Sequence, residues 1–408
     1  MSALDSSTES SLAIHGGTPV RAHPMPPRFA LGPGEEAMIA EVIAYYRKRG
    51  QDPGYDGEFE NRYRRAIEAY MGGGYADAVN SGTAAIYIAL MALDLPKDSE
   101  VLVSPITETG SVSPIIMAGL TPKVVDSKPR HYNIGVEQVC DRITDKTSAI
   151  VVVHAGGQPV SDIAEITREA HARGIRVVED TSQAIGGTVD GRIVGSFGDI
   201  AAWSSGSRKN QISGGAGGVV YTQDRDLMRR VVAHADRGKP KMDPGFEDRN
   251  PDTYMLPALN LNADEIGCAI GISSLARLNQ TKERRLAFVH RLDALIAEQS
   301  TTCTPYGYTD GDSPFFQPVI LDPKRSNADK IEFALAVQAE GIGLNPHFKF
   351  FVADWNWMKP YMADDMDTPN ARWIRDHSFN VFLNENYTEA EAFDVIAAIR
   401  KVEQLFTG

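Results

Sequence analysis

Residues 149–154 read Ala-Ile-Val-Val-Val-His, and five of these six residues are apolar. A strand that is covered on one face alternates apolar and polar residues, whereas a strand covered on both faces is apolar at nearly every position. The run therefore predicts a strand inside a sheet that has helices on both faces. Such sheets are mostly parallel and are typical of α/β proteins.

Similar short runs lie on both sides of this strand, with helical patterns between several of them. The predicted strands are residues 101–103, 123–126, 149–154, 175–179, 199–203 and 218–222. The predicted helices are residues 82–92, 111–118, 161–173 and 224–235. This alternation favours an α/β domain with a mainly parallel central sheet.

The rest of the chain is predicted to be less regular. Residues 237–257 are rich in Lys, Pro, Gly and Asp and indicate a long loop. A helical stretch at 264–300, a strand near 316–321 and helices near 327–340 and 388–405 follow it. Because 408 residues are enough for two domains, we expect an N-terminal tail and arm over 1–30, a large α/β domain over 31–262 and a smaller C-terminal α+β domain over 263–408.

Composition excludes several classes of protein. A net charge of −13 argues against a nucleic-acid surface. The three cysteines have no CxxC spacing and indicate neither a disulfide framework nor a zinc site. The chain begins without the pattern of a signal peptide and has no apolar run of about 18 residues. We therefore expect a cytoplasmic protein that binds no metal, nucleic acid or membrane.

The first candidate for binding chemistry is the run Asn-Ser-Gly-Thr-Ala at residues 80–84, which opens a predicted helix. A small residue next to a hydroxyl residue at a helix N-terminus offers free N–H groups and a side-chain donor to a phosphate. The alternative is an ordinary N-cap made by Ser81.

The second candidate is the pair Glu179 and Asp180, which ends a predicted buried strand. Side chains alternate between the two faces of a strand, so one carboxylate should point toward a ligand at the sheet edge. Such a carboxylate can keep the nitrogen of a pyridine cofactor protonated. The alternatives for Asp180 are an N-cap and a salt bridge.

The third candidate is Lys209, which follows a predicted strand and precedes the glycine-rich residues 214–218. A lysine that reacts with a carbonyl needs a pocket and a lowered pKa, and glycine lets backbone approach a flat ligand closely. The alternative is a solvated Arg208–Lys209 pair in a flexible loop. A phosphate seat, a carboxylate and a lysine, in this order at successive strand ends, are the parts that a pyridoxal 5'-phosphate (PLP) site requires.

The chain resembles one known family along nearly its whole length. The matching segments are LAIHGGTPVR (12–21), NSGTAAIYIAL (80–90), HAGGQPVSDI (154–163), VVEDTSQAIGG (177–187), GRIVGSFGDIAAWSS (191–205) and NLNADEIGCAIG (260–271). They resemble motifs of the DegT/DnrJ/EryC1/StrS family of fold-type I PLP-dependent sugar and cyclitol aminotransferases. The resemblance implies transfer of an amino group from glutamate or glutamine to a nucleotide-linked keto-sugar or a keto-cyclitol, in the biosynthesis of an amino sugar, aminocyclitol or secondary metabolite.

The resemblance also implies roles for individual residues. Lys209 would hold the cofactor covalently and later move protons as general acid and base. Asp180 would pair with the pyridine nitrogen, and Gln183 would lie near the phenolic oxygen of the ring.

The remaining implied roles concern the phosphate group of the cofactor. That group would be held by Gly82, Thr83 and Ser204. Asn260 would reach the phosphate site of a neighbouring subunit, so the resemblance implies a homodimer with shared active sites.

The loop after Lys209 departs from the family pattern, in which the fifth residue after the lysine begins a Gly-Glu-Gly-Gly run. Counting forward from Asp199 places Lys209 at the lysine position. Counting back from Gly217 and Gly218 places Asn210 there, so one residue is inserted between these two anchors. We prefer Lys209, because the strand fixes where the loop starts and a glycine loop accommodates an insertion.

Three other positions bear on the substrate pocket. The family usually has a ring-stacking aromatic residue where Glu108 falls and often a basic residue where Asn262 falls. Both differences make the pocket less positive, which weakens the expectation of an anionic nucleotide-sugar acceptor. His347 lies in the region of a substrate-side histidine of the family, and packing or a surface position is its alternative.

Two other functions stay open at this point. If Asn210 rather than Lys209 faces the cofactor, a PLP-dependent dehydratase or lyase acting on a deoxysugar becomes the alternative, as in family members that lack the lysine. A regulator that binds PLP or a sugar without turnover would fit Glu108 and the altered glycine run.

Overall fold

The computed structural model describes residues 12–365 and 367–406. Its strands are Tyr75–Val79 (β1), Glu100–Val103 (β2), Thr121–Val124 (β3), Thr147–Val153 (β4), Arg176–Asp180 (β5), Thr188–Val189 (β6), Arg192–Ile193 (β7), Ile200–Ser204 (β8), Gly218–Thr222 (β9), Cys303–Pro305 (β10), Gln317–Leu321 (β11), Leu344–Asn345 (β12) and Ser378–Val381 (β13). Its α-helices are Pro33–Arg49 (α1), Glu58–Met71 (α2), Gly82–Ala92 (α3), Thr109–Met117 (α4), Val136–Cys140 (α5), Ile163–His171 (α6), Arg225–Ala235 (α7), Glu265–Ala276 (α8), Leu278–Gln299 (α9), Lys330–Ala339 (α10), Pro369–His377 (α11) and Glu389–Phe406 (α12).

Seven strands form the central sheet, in the order β1-β9-β8-β5-β4-β2-β3. The pairs β2–β3, β2–β4, β4–β5 and β5–β8 are parallel, whereas β9 runs antiparallel to its neighbours β1 and β8. The prediction of an α/β fold with a mainly parallel central sheet is therefore confirmed. All strands except β9 end at the same edge of the sheet, and open α/β sheets bind ligands beyond that edge.

Strand β4 is buried along almost its whole length. Ala149, Val151 and Val153 pack into the apolar core on one face of the sheet, and Ile150 and Val152 pack into the core on the other face. Successive side chains of a strand point to opposite faces. A strand between two layers of helices therefore needs apolar residues on both faces, as residues 149–153 of β4 show.

A second, smaller sheet lies in the C-terminal part of the chain, with the order β10-β11-β13-β12 and only antiparallel pairs. Its apolar face packs against three helices, to which Leu292 of α9, Phe333 of α10 and Val395 of α12 contribute buried side chains. The predicted boundary between residues 262 and 263 stays a prediction. No helix within residues 12–365 and 367–406 is both long and apolar enough to cross a membrane.

The structure differs from the sequence predictions in several places, and the unpredicted elements include β1, β13 and α11. The helix predicted over 264–300 is two helices, α8 and α9, which are separated at Arg277. Helices α1 and α2 precede the predicted elements, although Phe59, Tyr63 and Ile67 of α2 are buried at the four-residue spacing of an amphipathic helix. That spacing is a signal that would have predicted α2.

Candidate active site

Most of the predicted site residues lie along one edge of the central sheet. Helix α3 begins at Gly82, just after β1 ends, while Asp180 is the last residue of β5 and Ser204 is the last residue of β8. Lys209 follows five residues later, in the loop that returns to β9. The parallel strands bring these residues together because their carboxyl ends meet at this edge.

The N-terminus of α3 keeps two N–H groups available for a ligand. Ser81 is the N-cap, and its hydroxyl accepts a hydrogen bond from Ala84 N at 3.1 Å, while its carbonyl accepts one from Ala85 N at 2.9 Å. The first N–H groups of a helix have no acceptor within it, so those of Gly82 and Thr83 stay free of intrahelical bonds. The predicted N-cap and the predicted anion seat are therefore compatible.

The seat is narrow because α3 and β8 approach each other closely. A Cβ atom added to Gly82 would lie 2.5 Å from Ser204 Cβ and 2.8 Å from Ser204 Cα. On the other side, a Cβ atom added to Gly110 would lie 2.6 Å from the hydroxyl of Thr83. The two glycines thus leave room for the hydroxyl groups of Ser204 and Thr83 beside the free N–H groups.

The two carboxylates at the end of β5 point to opposite faces of the sheet. Asp180 has the same parity as Val178, which packs into the core beneath α3 and α4. Glu179 has the same parity as Val177, which packs into the core on the other face. Both carboxylates are buried, but only Asp180 lies on the face where α3 begins.

The Glu179 carboxylate holds a turn of the chain together. It accepts hydrogen bonds from Gly195 N (2.8 Å), Phe197 N (2.7 Å) and Gly198 N (2.7 Å), and it lies 3.2 Å from His154 Nε2. Val160 N donates to His154 Nδ1, so the proton of this imidazole sits on Nε2 and is donated to Glu179. Glu179 therefore has a structural role.

Asp180 is held by two donors that the sequence analysis did not find. Its Oδ2 accepts a hydrogen bond from the Ser111 hydroxyl at 2.6 Å, and its Oδ1 accepts one from Ser182 N at 3.0 Å. The Ser111 hydroxyl lies 2.6 Å from the hydroxyl of Thr107, which donates to it because Ser111 uses its own proton for Asp180. These bonds fix the orientation of a charged acceptor at the sheet edge.

Lys209 is half-buried, and the charge of the Asp180 carboxylate acts on its amine. Burial lowers the pKa of Lys209, while the nearby carboxylates of Asp180 and Glu108 act against that decrease. Its Nζ lies 4.6 Å from the centre of the Phe315 ring, a contact that the sequence analysis missed. The lysine is thus placed in a pocket, with a lowered pKa, as a carbonyl-reactive amine requires.

Asn210 points away from this pocket. Its side chain is buried, donating to Ser313 O at 3.1 Å and to Pro314 O at 3.3 Å, and its Oδ1 accepts a bond from Arg285 Nη1 at 2.5 Å. With all its polar atoms engaged in the protein interior, Asn210 is not available to a ligand at the sheet edge.

Gln183 and Glu108 lie at the rim of the site. Gln183 is half-buried, and its Oε1 accepts a hydrogen bond from Gly156 N at 2.8 Å. Glu108 is exposed and is the N-cap of α4, where its carboxylate accepts a bond from Thr109 N at 3.1 Å. The residue that replaces the aromatic one of the family is therefore a solvent-exposed carboxylate, and its charge acts on Lys209.

Of the three other predicted residues, Asn262 lies opposite Val79, the last residue of β1. Asn260 is exposed; it donates to the hydroxyl of Tyr55 at 3.1 Å and accepts from Asn262 Nδ2 at 2.8 Å. His347 is also exposed, and no hydrogen bond or ion pair joins its side chain to another described residue. The structure of one chain therefore does not bring Asn260 or His347 to Lys209.

The residues at the sheet edge fit PLP. They provide a seat for a phosphate at the start of α3, a buried carboxylate on the same face and a half-buried amine with a lowered pKa. The fold and this set of groups define a fold-type I PLP-dependent transferase.

Comparison with known proteins gives the family. The chain belongs to the DegT/DnrJ/EryC1/StrS aminotransferase family, whose model matches residues 38–400. It is thus a PLP-dependent aminotransferase. This confirms the family and the cofactor that the sequence motifs predicted.

Two named relatives are similar to more than two thirds of the chain. L-glutamine:2-deoxy-scyllo-inosose aminotransferase of Streptomyces fradiae is 33% identical over 295 residues, which cover 71% of this chain and 69% of that protein. GDP-perosamine synthase of Caulobacter vibrioides is 29% identical over 352 residues, which cover 85% of this chain and 90% of that protein. By name, one relative acts on a cyclitol ketone and the other makes a nucleotide-linked amino sugar.

Two solved structures share the fold. An aminotransferase from Psychrobacter cryohalolentis superposes with a TM-score of 0.84 at 24% identity and covers 94% of this chain and 100% of that chain. The GDP-4-keto-6-deoxy-D-mannose-3-dehydratase of E. coli, solved with hydrated PLP, has a TM-score of 0.83 at 21% identity. The match covers 92% of this chain and 100% of that chain. The fold therefore accommodates both a transferase and a dehydratase.

Proposed function

We propose that this protein transfers an amino group from glutamate or glutamine to the ketone of a sugar or cyclitol, with Lys209 as the residue that holds PLP and moves the proton. The observation that carries the proposal is the direction of two neighbouring side chains. The Lys209 amine lies 4.6 Å from the centre of the Phe315 ring and within reach of the charges of Asp180 and Glu108, whereas Asn210 is buried among hydrogen-bond partners. This arrangement supports a transferase over the dehydratase alternative, which needs a site without the lysine.

PLP, when bound, accepts electrons from the carbon that carries the amino group. Lys209 Nζ, which is neutral over a wider pH range than an ordinary lysine, takes the proton from that carbon and returns it as a general acid. Asp180 supplies a negative charge that keeps the pyridine nitrogen protonated, and Ser111 holds this carboxylate in place.

The other predicted residues orient the cofactor. The N–H groups of Gly82 and Thr83 and the hydroxyls of Thr83 and Ser204 bind the phosphate at the start of α3. Gln183, whose Oε1 already accepts a bond from the backbone, uses its amide N–H groups for the phenolic oxygen.

Asn260 is proposed to act in the site of a second subunit. Its exposed side chain lies outside its own chain's pocket, as a residue that reaches a partner's phosphate would. The active form would then be a homodimer with shared sites. Size-exclusion chromatography with light scattering tests this, and a catalytically active monomer would contradict it.

The acceptor is proposed to be a cyclitol ketone rather than a nucleotide sugar. The exposed carboxylate of Glu108, whose charge acts on Lys209, makes the site less positive, whereas a diphosphate needs positive charge. The likeness to the scyllo-inosose aminotransferase supports the same choice. Turnover of 2-deoxy-scyllo-inosose should exceed turnover of GDP-linked keto-sugars, and the reverse order would contradict the choice.

Borohydride reduction of the PLP-loaded protein, followed by peptide mapping, tests the main proposal. A pyridoxyl group on Lys209 is the expected result, and a group on another residue, or none, would overturn it. The absorption spectrum is then followed while glutamate or glutamine is added. Conversion to the amine form of the cofactor supports transfer, whereas a spectrum that no amino donor changes would indicate a binding protein without turnover.

A further inference from the structure

Arg28, near the N-terminus, donates hydrogen bonds to the backbone of the loop that carries Lys209. Arg28 lies in the extended segment before α1, and its guanidinium donates to Ser207 O at 2.9 Å and to Asn210 O at 3.5 Å. These two carbonyl groups lie on either side of Lys209. One planar side chain therefore spans the residue whose amine reaches the pocket.

Arg28 is itself fixed by a buried ion cluster. Its Nε donates to Glu385 Oε1 at 3.1 Å, and Glu385 Oε2 accepts a bond from Arg285 Nη2 at 2.8 Å. Arg285 is 1% exposed, and its Nη1 donates to Asn210 Oδ1. Burial alone would raise the pKa of Glu385, but the two guanidinium groups hold it below its usual value, so the cluster is charged.

A third support for the loop is the segment that contains Ser313 and Phe315. Asn210 donates to the carbonyl and hydroxyl of Ser313, and two residues further on the Phe315 ring lies under Lys209 Nζ. The loop is thus enclosed between this segment and the Arg28–Glu385–Arg285 cluster. Removing one member of such a cluster leaves buried charges without a partner.

We propose that Arg28, Glu385 and Arg285 are positioning residues for Lys209, which set how deeply its amine enters the pocket. The N-terminal segment and the loop after β13 thereby control the reactive lysine without touching the cofactor. This inference rests on the role proposed above for Lys209. A planar guanidinium is needed, because a lysine at position 28 cannot bond Glu385 and both loop carbonyls together.

The test uses Glu385→Gln and Arg28→Lys in the full chain, with three measurements. The first is the rate at which the PLP-free protein captures PLP covalently. The second is the affinity for pyridoxamine 5'-phosphate, which fills the same pocket without bonding to the lysine. The third is the pH at which Lys209 of the PLP-free protein is half-labelled by acetic anhydride.

Covalent capture should slow by about tenfold or more in both variants, because a small displacement of a reacting group costs much of its rate. Affinity for pyridoxamine 5'-phosphate should not change. The half-labelling pH should rise toward 10.5, the ordinary lysine value, as water reaches the freed amine. Asp180 and Glu108, the carboxylates that face Lys209, are the same in all variants.

The direction of the pH shift separates two explanations for Glu385→Gln. Loss of a negative charge by itself lowers the pKa of a nearby lysine, whereas release of Lys209 into water raises it. A lowered or unchanged half-labelling pH with normal capture would overturn the inference. Equal loss of affinity for pyridoxamine 5'-phosphate would also overturn it, since the cluster would then support the whole pocket.

A matched control alters a different ion pair of the N-terminal segment. Arg21 pairs with Glu391 and Asp394 of α12 and has no contact with the Lys209 loop, so Arg21→Lys should change none of the three measurements. The proposed function fails independently if borohydride labels a residue other than Lys209 in the unaltered protein. If Lys209 is labelled and both variants capture PLP normally, only the positioning inference fails.

Discussion

The two faces of strand β5 end in neighbouring carboxylates with different surroundings. On one face, Glu179 accepts three backbone N–H bonds and one from His154, in a region filled by the protein itself. On the other face, Asp180 accepts bonds from Ser111 and Ser182, beside an open helix N-terminus and Lys209.

The two carboxylates differ in how much hydrogen-bond acceptor capacity remains for a ligand. Glu179 is surrounded by donors that close a turn, so its charge is fully used in the folded chain. Asp180 has two donors and faces a lysine with a lowered pKa. Both residues carry a carboxylate. Because successive side chains of a strand point to opposite faces, one carboxylate stabilises a turn and the other is available to a ligand.

The largest expected effect follows from Asp180→Asn. Without the negative charge the pyridine nitrogen loses its proton, so kcat should fall by about 10³-fold. The amide oxygen can keep the bond from Ser182 N while the amide N–H group donates to the Ser111 hydroxyl, so the free energy of unfolding should change by less than about 1 kcal/mol. Steady-state kinetics and urea unfolding check both. Activity within tenfold of the unaltered enzyme would remove Asp180 from the site.

Glu179→Gln should show the opposite pattern. An amide leaves fewer acceptor sites for four donors, and the free energy of unfolding should fall by about 3 kcal/mol. At a temperature where the variant is folded, kcat should stay close to that of the unaltered enzyme. A loss of kcat as large as that of Asp180→Asn, without a change in the urea midpoint, would erase the distinction between the two faces.

Gly82→Ala tests the close approach of α3 and β8. The new Cβ would lie 2.5 Å from Ser204 Cβ, so the helix must shift at a cost of about 1–3 kcal/mol. The affinity for PLP, measured by titration of the PLP-free protein, should fall about tenfold. Gly54→Ala is the control, because nothing lies within 4 Å of its added Cβ. Equal effects of the two substitutions would contradict the narrow seat.

Ser111→Ala should have the smallest effect. The substitution removes one hydrogen bond to Asp180, worth about 1 kcal/mol, and leaves the charge of the carboxylate unchanged. We therefore expect kcat to fall by less than about tenfold. Thr107→Val, one hydroxyl further from the carboxylate, should lower kcat less. If the order of the two variants is reversed, Ser111 does not orient Asp180.

Local patterns made much of this site predictable. The apolar run of β4 predicted a sheet buried on both faces, and the residues that follow the strands included Gly82, Asp180 and Lys209. Sequence order was enough to place Asp180 at the end of its strand and Gly82 at the start of its helix, whereas Lys209 lies five residues beyond its strand. Ser111 was missed, since its bond to Asp180 joins residues 69 positions apart, as were Arg28 and Phe315, which reach the Lys209 loop from distant segments.

The sequence by itself determined the strand pattern, the family and the cofactor, because apolar periodicity and ordered motifs are local properties of the chain. Only the tertiary structure showed that Asn210 is buried among hydrogen-bond partners, which supports Lys209 as the proposed site lysine. Because one residue is inserted in this loop, counting along the sequence gives two possible positions for the lysine. Packing of Asn210 against Arg285 and Ser313 favours the position at Lys209, because a buried amide must satisfy its hydrogen bonds inside the protein.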